Sequence, residues 1–126
     1  MKIEDTIKKA IILGATGGIG RQLAKELAQR LEHLILVGRD ADKLSQVQKE
    51  LTGSKAQLSI LTLDMLDQVA LEAFVENLDA DLLVNCAGLA YFSLGCDLDS
   101  ASEQDLWKVN YHAPVQLIKQ LVKKNQ

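Results

Sequence analysis

The most constraining feature of this sequence is a glycine-rich segment, GATGGIG at positions 14–20, which directly follows the apolar run AIIL at positions 10–13. An apolar run, a glycine turn and a stretch with apolar residues at helical spacing predict a strand, a tight turn and a helix. Glycines let backbone N–H groups approach an anion closely, and the positive end of the helix dipole points at the same place. The segment therefore predicts a phosphate-binding turn, the alternative being a turn that serves only helix–strand packing.

Apolar runs and helical spacing alternate along the rest of the chain. Runs at positions 10–13, 34–37, 58–63 and 82–84 predict four strands, and the segments between them predict helices. Short apolar strands separated by helices favour a parallel sheet covered on both faces, and right-handed crossovers give the strand order 3-2-1-4. The predicted fold class is α/β, a three-layer αβα arrangement around a four-stranded parallel sheet.

Several helix boundaries and faces can also be predicted. Asp40 is a suitable N-cap for the second helix, and Gly53 lies where that helix should end. The last helix is predicted over positions 102–124. The helix after the third strand is predicted to turn four side chains inward, namely Val69, Phe74, Val75 and Leu78.

Composition narrows the class of protein. A chain of 126 residues with 48% hydrophobic and 25% charged residues predicts one globular domain. The net charge of -3, with basic residues scattered among acidic ones, argues against a nucleic-acid partner. Cys86 and Cys96 have no metal-ligand spacing, which predicts reduced thiols, a cytoplasmic location and no metal site. Neither a signal peptide nor a membrane-spanning segment is expected.

Several segments, in this order and spacing, resemble the short-chain dehydrogenase/reductase family. Gly14, Gly18 and Gly20 match its G-x-x-x-G-x-G phosphate motif, although Leu13 stands where the family usually has threonine. NCAG at positions 85–88 matches N-x-A-G, and the resemblance extends over about positions 9–122. It implies a Rossmann-like fold, a nicotinamide cofactor, and hydride transfer to or from a small alcohol or carbonyl substrate.

The glycine turn and the end of the second strand should hold the two phosphate-bearing parts of such a cofactor. Backbone N–H groups around Thr16, Ile19 and Gly20 are expected to bind the pyrophosphate, and the Thr16 hydroxyl either adds a contact or caps the turn. Arg39 follows the second strand, where the adenosine ribose should lie. An arginine suits a 2′-phosphate, whereas a free 2′-hydroxyl is better served by a carboxylate, and position 38 is glycine. The sequence therefore favours NADP over NAD.

Four further residues are candidates for cofactor contacts. Asp64 stands where the resemblance implies an adenine contact, and it also suits capping of the next turn. Asn85 closes the fourth strand, and its amide is expected to tie the ends of the first and fourth strands together. Ala87 and Gly88 are small enough to leave room for the ribose and nicotinamide.

Asn110 is the only candidate catalytic residue. WKVN at positions 107–110 ends on the asparagine of the family's catalytic tetrad, whose backbone the resemblance implies holds a water in the proton relay. Pro114 has no N–H and so cannot bond to the carbonyl of Asn110, four residues earlier. That carbonyl is therefore expected to be free for a water or ligand, the alternative being a kink that only fits the helix to the sheet.

The rest of the family's catalytic set is not found. Tyr91 is followed four residues later by Gly95, and Tyr111 by Val115, so neither tyrosine forms the Tyr-x-x-x-Lys pair. Residues 1–126 are therefore interpreted as a single dinucleotide-binding half of a Rossmann fold that lacks the catalytic half and is inactive alone. The chain could be a truncated piece of an oxidoreductase, a natural short product that binds nucleotide without catalysis, or a protein-interaction module.

Such a half-fold should also self-associate. The fourth strand is predicted to be an open apolar sheet edge, and the last helix should expose apolar surface. The expected result is a homo-oligomer, with a two-fold dimer burying Leu117, Leu121 and Val122 as the favoured geometry.

Overall fold

The computed structural model describes residues 2–91 and 98–124. The chain forms two compact units. The first unit comprises Met1–Leu63 and Ala80–Ala87, and the second comprises Asp64–Asp79 and Gly88–Gln126. Gly95, four residues after Tyr91, and Cys96 lie outside the described residues.

The first unit contains the whole sheet. After a 3-10 turn at Ile3–Asp5, its elements are β1 (Lys9–Leu13), α1 (Gly18–Ala28), β2 (His33–Gly38), α2 (Ala41–Glu50), β3 (Gln57–Thr62) and β4 (Leu82–Asn85). All neighbouring strands are parallel, and their order is β3-β2-β1-β4. The predicted fold class and the strand order 3-2-1-4 are confirmed.

The alternation of side chains along the strands explains the core. Ala10 and Ile12 of β1, with Leu34 and Leu36 of β2, form one cluster with the apolar side chains of α1 and α2. Ile11, Leu13 and Val37 lie at the alternate positions and are also no more than 2% exposed. Burial on both faces is typical of parallel strands, and it requires the near-continuous apolar runs seen in the sequence.

Polar groups fix the second helix as expected. The Asp40 carboxylate accepts hydrogen bonds from the N–H groups of Asp42 at 3.0 Å and Lys43 at 3.1 Å, which confirms this residue as the N-cap of α2. Gly53 follows the helix with a φ of +90°, a backbone conformation that residues with a Cβ rarely adopt.

The second unit is helical and differs from the prediction. Its elements are α3 (Gln68–Glu76), α4 (Ser100–Trp107), a π-helical turn (Lys108–His112) and α5 (Ala113–Lys124). The predicted continuous last helix is therefore divided by a wide turn. Pro114 provides the reason, because it cannot donate an α-helical hydrogen bond, and the N–H of Ala113 bonds five residues back to Lys108.

Two burial predictions in the second unit are wrong. Val69 was expected to face inward, but it is 78% exposed, and Leu71 is the fully buried side chain of α3. Leu117 was expected in a dimer interface, but it is 0% exposed within a single chain and so cannot contribute to one. Val122 is 54% exposed and remains available. Among the described residues, no helix is both long and apolar enough to cross a membrane.

Candidate cofactor-binding site

The glycine turn is held against the ends of three strands. Gly14 has a φ of +75°, and its N–H and that of Ala15 both donate to the carbonyl of Val37, at 2.9 and 3.1 Å. A Cβ on Gly14 would lie 2.7 Å from the backbone of Cys86. A Cβ on Gly20 would overlap the carbonyl of Gly14. These two glycines are therefore required by the fold of the chain itself.

Gly18 has a different environment. A Cβ added there would meet no atom within 4 Å, so nothing inside the described chain requires glycine at this position. Gly18 is the first residue of α1, its N-cap is Gly17, which offers no side chain, and the first turn contains no acidic residue. The positive end of the helix thus opens onto free space, which suits an anion.

The side chains beside the turn are placed differently from one another. Ile19, the second residue of α1, is 79% exposed although it is a large apolar side chain. Thr16 is partly buried, with its methyl group 3.7 Å from the position that a Cβ on Gly38 would occupy. The turn and the end of β2 are therefore in contact, and an apolar side chain next to them is available for a ligand.

Arg39 follows β2 and is exposed. Within residues 2–91 and 98–124, its guanidinium has no hydrogen bond or ion pair. Its neighbour Asp40 already caps α2 through two backbone N–H groups. Of the two charged side chains that follow β2, Arg39 is therefore the one that is free to bind an anion.

The predicted role of the Asn85 side chain is wrong. Asn85 lies opposite Leu13 in the sheet, but its Oδ1 accepts a hydrogen bond from the N–H of Ala87 at 3.1 Å. The two strand ends are joined by backbone instead, through the N–H of Cys86 and the carbonyl of Leu13 at 2.8 Å. A local turn two residues long competes successfully with the cross-strand bond because it costs less ordering.

In the second unit, Asn110 makes a contact that the sequence did not reveal. Its Oδ1 accepts from the N–H of Leu89 at 2.9 Å, and its Nδ2 donates to the carbonyl of Leu89 at 2.8 Å. The amide thereby pairs with the backbone of Leu89 as a neighbouring strand would. The partners are 21 residues apart, and no sequence periodicity connects such positions.

Asp64, also in the second unit, is exposed and closes a turn. Its Oδ1 accepts from the N–H of Leu66 at 2.9 Å, while the N-cap of α3 is Asp67, which accepts from Ala70 at 3.1 Å. This capping is one of the two roles that the sequence allowed for Asp64.

The first unit brings most of the candidate residues to one edge of its sheet. Leu13 lies between Val37 and Asn85 in the register, so the segments after β1, β2 and β4 leave the sheet side by side. Those segments carry Gly14, Thr16, Gly18, Ile19, Gly20, Arg39, Asn85 and Ala87. The second unit carries Asp64, Gly88 and Asn110. Within the described part of the chain, no three His, Cys, Asp or Glu side chains are grouped as metal ligands would be.

A parallel sheet of this order, with a glycine turn between its first strand and first helix, defines a Rossmann-like α/β fold. The family model described as short chain dehydrogenase matches residues 8–125. The chain therefore belongs to the short-chain dehydrogenase/reductase family, a family of oxidoreductases, and the expected membership is confirmed.

Individual relatives agree with this assignment. The chain is 30% identical over 121 residues to dehydrogenase/reductase SDR family member 7B of Mus musculus, which covers 89% of this chain and 38% of that protein. L-sorbose reductase from Gluconobacter frateurii, solved with NADPH and L-sorbose, matches with a TM-score of 0.82 and 27% identity, over 94% of this chain and 47% of that one. A metagenomic short-chain oxidoreductase in complex with NADP matches with a TM-score of 0.82 and 28% identity, over 92% and 55%. The chain thus spans about a third to a half of the length of these relatives.

Proposed function

We propose that this chain is the NADP(H)-binding part of a short-chain oxidoreductase that transfers hydride between the nicotinamide and a small alcohol or carbonyl substrate. The observation that carries the proposal is the open space beside Gly18, at a helix start without side-chain cap or acidic residue. A glycine that the chain does not need, at the positive end of a helix, is explained by the close approach of a phosphate.

The pyrophosphate would be bound by the backbone of the glycine turn. In this proposal the N–H groups of Thr16, Ile19 and Gly20 donate to its oxygens, and the exposed Ile19 side chain covers an apolar part of the cofactor. The bound cofactor would supply the hydride chemistry, while the chain's own residues bind and orient it.

Arg39 is the proposed determinant for NADP. Its guanidinium is exposed, has no partner among the described residues, and can bind a 2′-phosphate with two parallel hydrogen bonds. Asp40, the carboxylate that would otherwise suit the 2′-hydroxyl of NAD, is engaged as a helix cap. The NADPH and NADP found in the two solved relatives are consistent with this preference.

The remaining candidates receive narrower roles. Asp64 is proposed to contact the adenine, and Asn85, Ala87 and Gly88 to border the ribose and nicotinamide. Asn110 is proposed as the one member of the catalytic tetrad in this sequence. In this proposal its side chain orders the Leu89 backbone, and its backbone carbonyl, to which Pro114 cannot donate, serves the proton relay.

Catalysis is proposed to require groups beyond these residues. Neither Tyr91 nor Tyr111 has a lysine four positions later, so the 126 residues are expected to bind cofactor without reducing a carbonyl. In this proposal, residues 1–126 form one dinucleotide-binding domain that acts in the cytoplasm on a small molecule and does not bind nucleic acid.

Self-association is proposed through the last helices. Trp107, Tyr111, Ile118 and Val122 are large apolar side chains that are 53–59% exposed. Ile118 and Val122 are one turn apart on α5 and form a continuous apolar strip. This strip replaces the interface around Leu117, and a second copy of the chain is the proposed occupant.

The experiment that tests the cofactor site is a titration of NADPH against Gly18→Val by calorimetry. Because the new side chain would enter open space, the variant should keep the circular dichroism spectrum and melting temperature of the unmodified chain. It should nevertheless bind NADPH at least roughly tenfold more weakly, since the valine fills the space that the phosphate needs. Gly20→Ala is the contrasting variant, because its methyl group would overlap the Gly14 carbonyl and should lower stability. A folded Gly18→Val variant with unchanged affinity would remove the glycine turn from the site.

A further inference from the structure

The second unit contains a groove that the proposed cofactor site does not use. It has a volume of about 340 Å³ and is lined entirely by α3 and α5. The lining residues are Glu72, Val75 and Glu76 of α3, and Gln116, Lys119, Gln120 and Lys123 of α5. The end of α5 is fastened near the end of α3, because the Lys124 ammonium donates to the carbonyl of Leu78. A volume of this size is at the lower end of the range for small-molecule sites.

The two walls of the groove carry opposite charges. Glu72 and Glu76 are one helical turn apart on α3, and Lys119 and Lys123 are one turn apart on α5. Like charges at this spacing repel each other within each wall. Yet in the part of the chain that the structure describes, no ion pair joins the acidic wall to the basic wall. The Glu72 carboxylate instead accepts a hydrogen bond from Gln68 at 3.0 Å.

The space between the walls suits a ligand that carries both charges and also has an apolar part. Val75 is half-buried and offers an apolar contact, and the amides of Gln116 and Gln120 can both donate and accept hydrogen bonds. An anion alone would meet the carboxylates of α3, and a cation alone would meet the ammonium groups of α5. A molecule with one charge of each sign would satisfy both walls and reduce the repulsion within each.

We propose that this groove binds a small dipolar molecule, with its cationic group against Glu72 and Glu76 and its anionic group against Lys119 and Lys123. Packed helices have axes about 8–10 Å apart, so the two charges of the ligand should be several ångströms apart. The terminal ammonium and carboxylate of an extended dipeptide, about 7 Å apart, meet this requirement. An apolar side chain on the dipeptide would lie against Val75.

The test is an NMR titration of the isotope-labelled chain with glycyl-leucine at low salt. Two probes of nearly equal size serve as controls: the N-acetylated dipeptide, which lacks the cation, and the dipeptide amide, which lacks the anion. Glycyl-leucine should shift the amide signals of the lining residues saturably, in the millimolar range expected for exposed charge contacts, and each control probe should bind roughly threefold more weakly. High salt should abolish the difference.

Variants then assign each wall. Glu72→Gln with Glu76→Gln should remove the advantage of glycyl-leucine over the N-acetylated probe, and Lys119→Gln with Lys123→Gln should remove its advantage over the amide. Glu26→Gln and Lys25→Gln on α1 are matched charge changes outside the groove and should alter neither. Equal binding of the three probes, or shifts that do not map to the groove, would overturn the proposal, and this comparison needs only the unmodified chain. NADPH binding should be unchanged in all groove variants. Failure of the groove proposal can therefore be distinguished from failure of the cofactor proposal.

Discussion

At the residue scale, glycines only a few positions apart lie in two different environments. Gly14 and Gly20 are crowded by backbone, so a larger residue would damage the fold, whereas Gly18 faces open space. The same distinction applies to the charged residues after β2. The Asp40 carboxylate is hydrogen-bonded to the start of the helix that it caps, whereas Arg39 has no partner among the described residues. Gly18 and Arg39, which the fold itself does not need, are the residues that we propose recognise the cofactor.

Arg39→Ala tests the cofactor preference directly. A charge-assisted contact to the 2′-phosphate should stabilise bound NADPH by about 1.5–3 kcal/mol, so the variant should lose most of the affinity for NADPH and keep that for NADH. Calorimetric titration of both nucleotides measures the difference, with Arg30→Ala, an exposed arginine elsewhere in the chain, as the control. If the unmodified chain binds NADH as tightly as NADPH, the preference for NADP is wrong.

At the element scale, the sheet was predictable and the helical breaks were not. Strand order follows from short apolar runs and right-handed crossovers, which are properties of whole elements. The π-helical turn depends on how the backbone accommodates the missing N–H of Pro114. The sequence indicated only that an α-helical hydrogen bond was missing. The Asn110 contact with Leu89 and the exposure of Val69 depend on which segments lie nearby, and such long-range neighbours leave no local pattern.

A carboxylate connects two elements and should make stability depend on pH. Lys8 and Lys9 lie at the start of β1, and Asp81 lies just before β4. The backbone N–H groups of Lys8 and Lys9 donate to the Asp81 carboxylate, at 2.9 and 3.0 Å. The hydrogen bond from Lys8, followed by that from Lys9, lowers the pKa of Asp81 below its ordinary value. A lowered pKa in the folded state stabilises the fold above the unfolded-state pKa, and this contribution is lost as pH falls through the folded-state pKa.

Asp81→Asn should therefore be less stable than the unmodified chain near neutral pH and should lose less stability on acidification below about pH 4. Urea unfolding at a series of pH values measures the two slopes. Glu26→Gln on the surface of α1 is the charge-matched control and should follow the unmodified chain near neutral pH. Identical stability profiles for Asp81→Asn and the unmodified chain would show that the negative charge of Asp81 contributes nothing to stability.

At the scale of the whole molecule, the chain combines a nucleotide-binding fold with apolar surface that a single copy leaves exposed. Ile118 is 57% exposed and Val122 is 54% exposed, whereas Leu117 on the same helix is buried. Amphipathic spacing alone suggested Leu117 for the interface, because the sequence does not indicate which face of a helix its own chain covers. The chain spans 38% of the length of the mouse relative, so the activity of a complete enzyme is a proposal.

Light scattering across a wide range of concentration should show a dimer for the unmodified chain. Ile118→Lys combined with Val122→Lys should shift the equilibrium to monomer without loss of helix content. Val69→Lys is a matched control, because Val69 is 78% exposed on α3 and lies outside the proposed strip. A stable monomer at every concentration would contradict self-association.

The central claim is that the glycine turn binds the phosphates of NADPH. An NMR titration of the unmodified chain with NADPH observes this turn residue by residue. We predict that the backbone amide signals of Thr16, Ile19 and Gly20 shift together and saturably, and that their hydrogen exchange slows once the N–H groups donate to phosphate oxygens. Unchanged signals and exchange rates at these three positions at saturating NADPH would contradict the claim and would favour a protein-interaction module that no longer binds nucleotide.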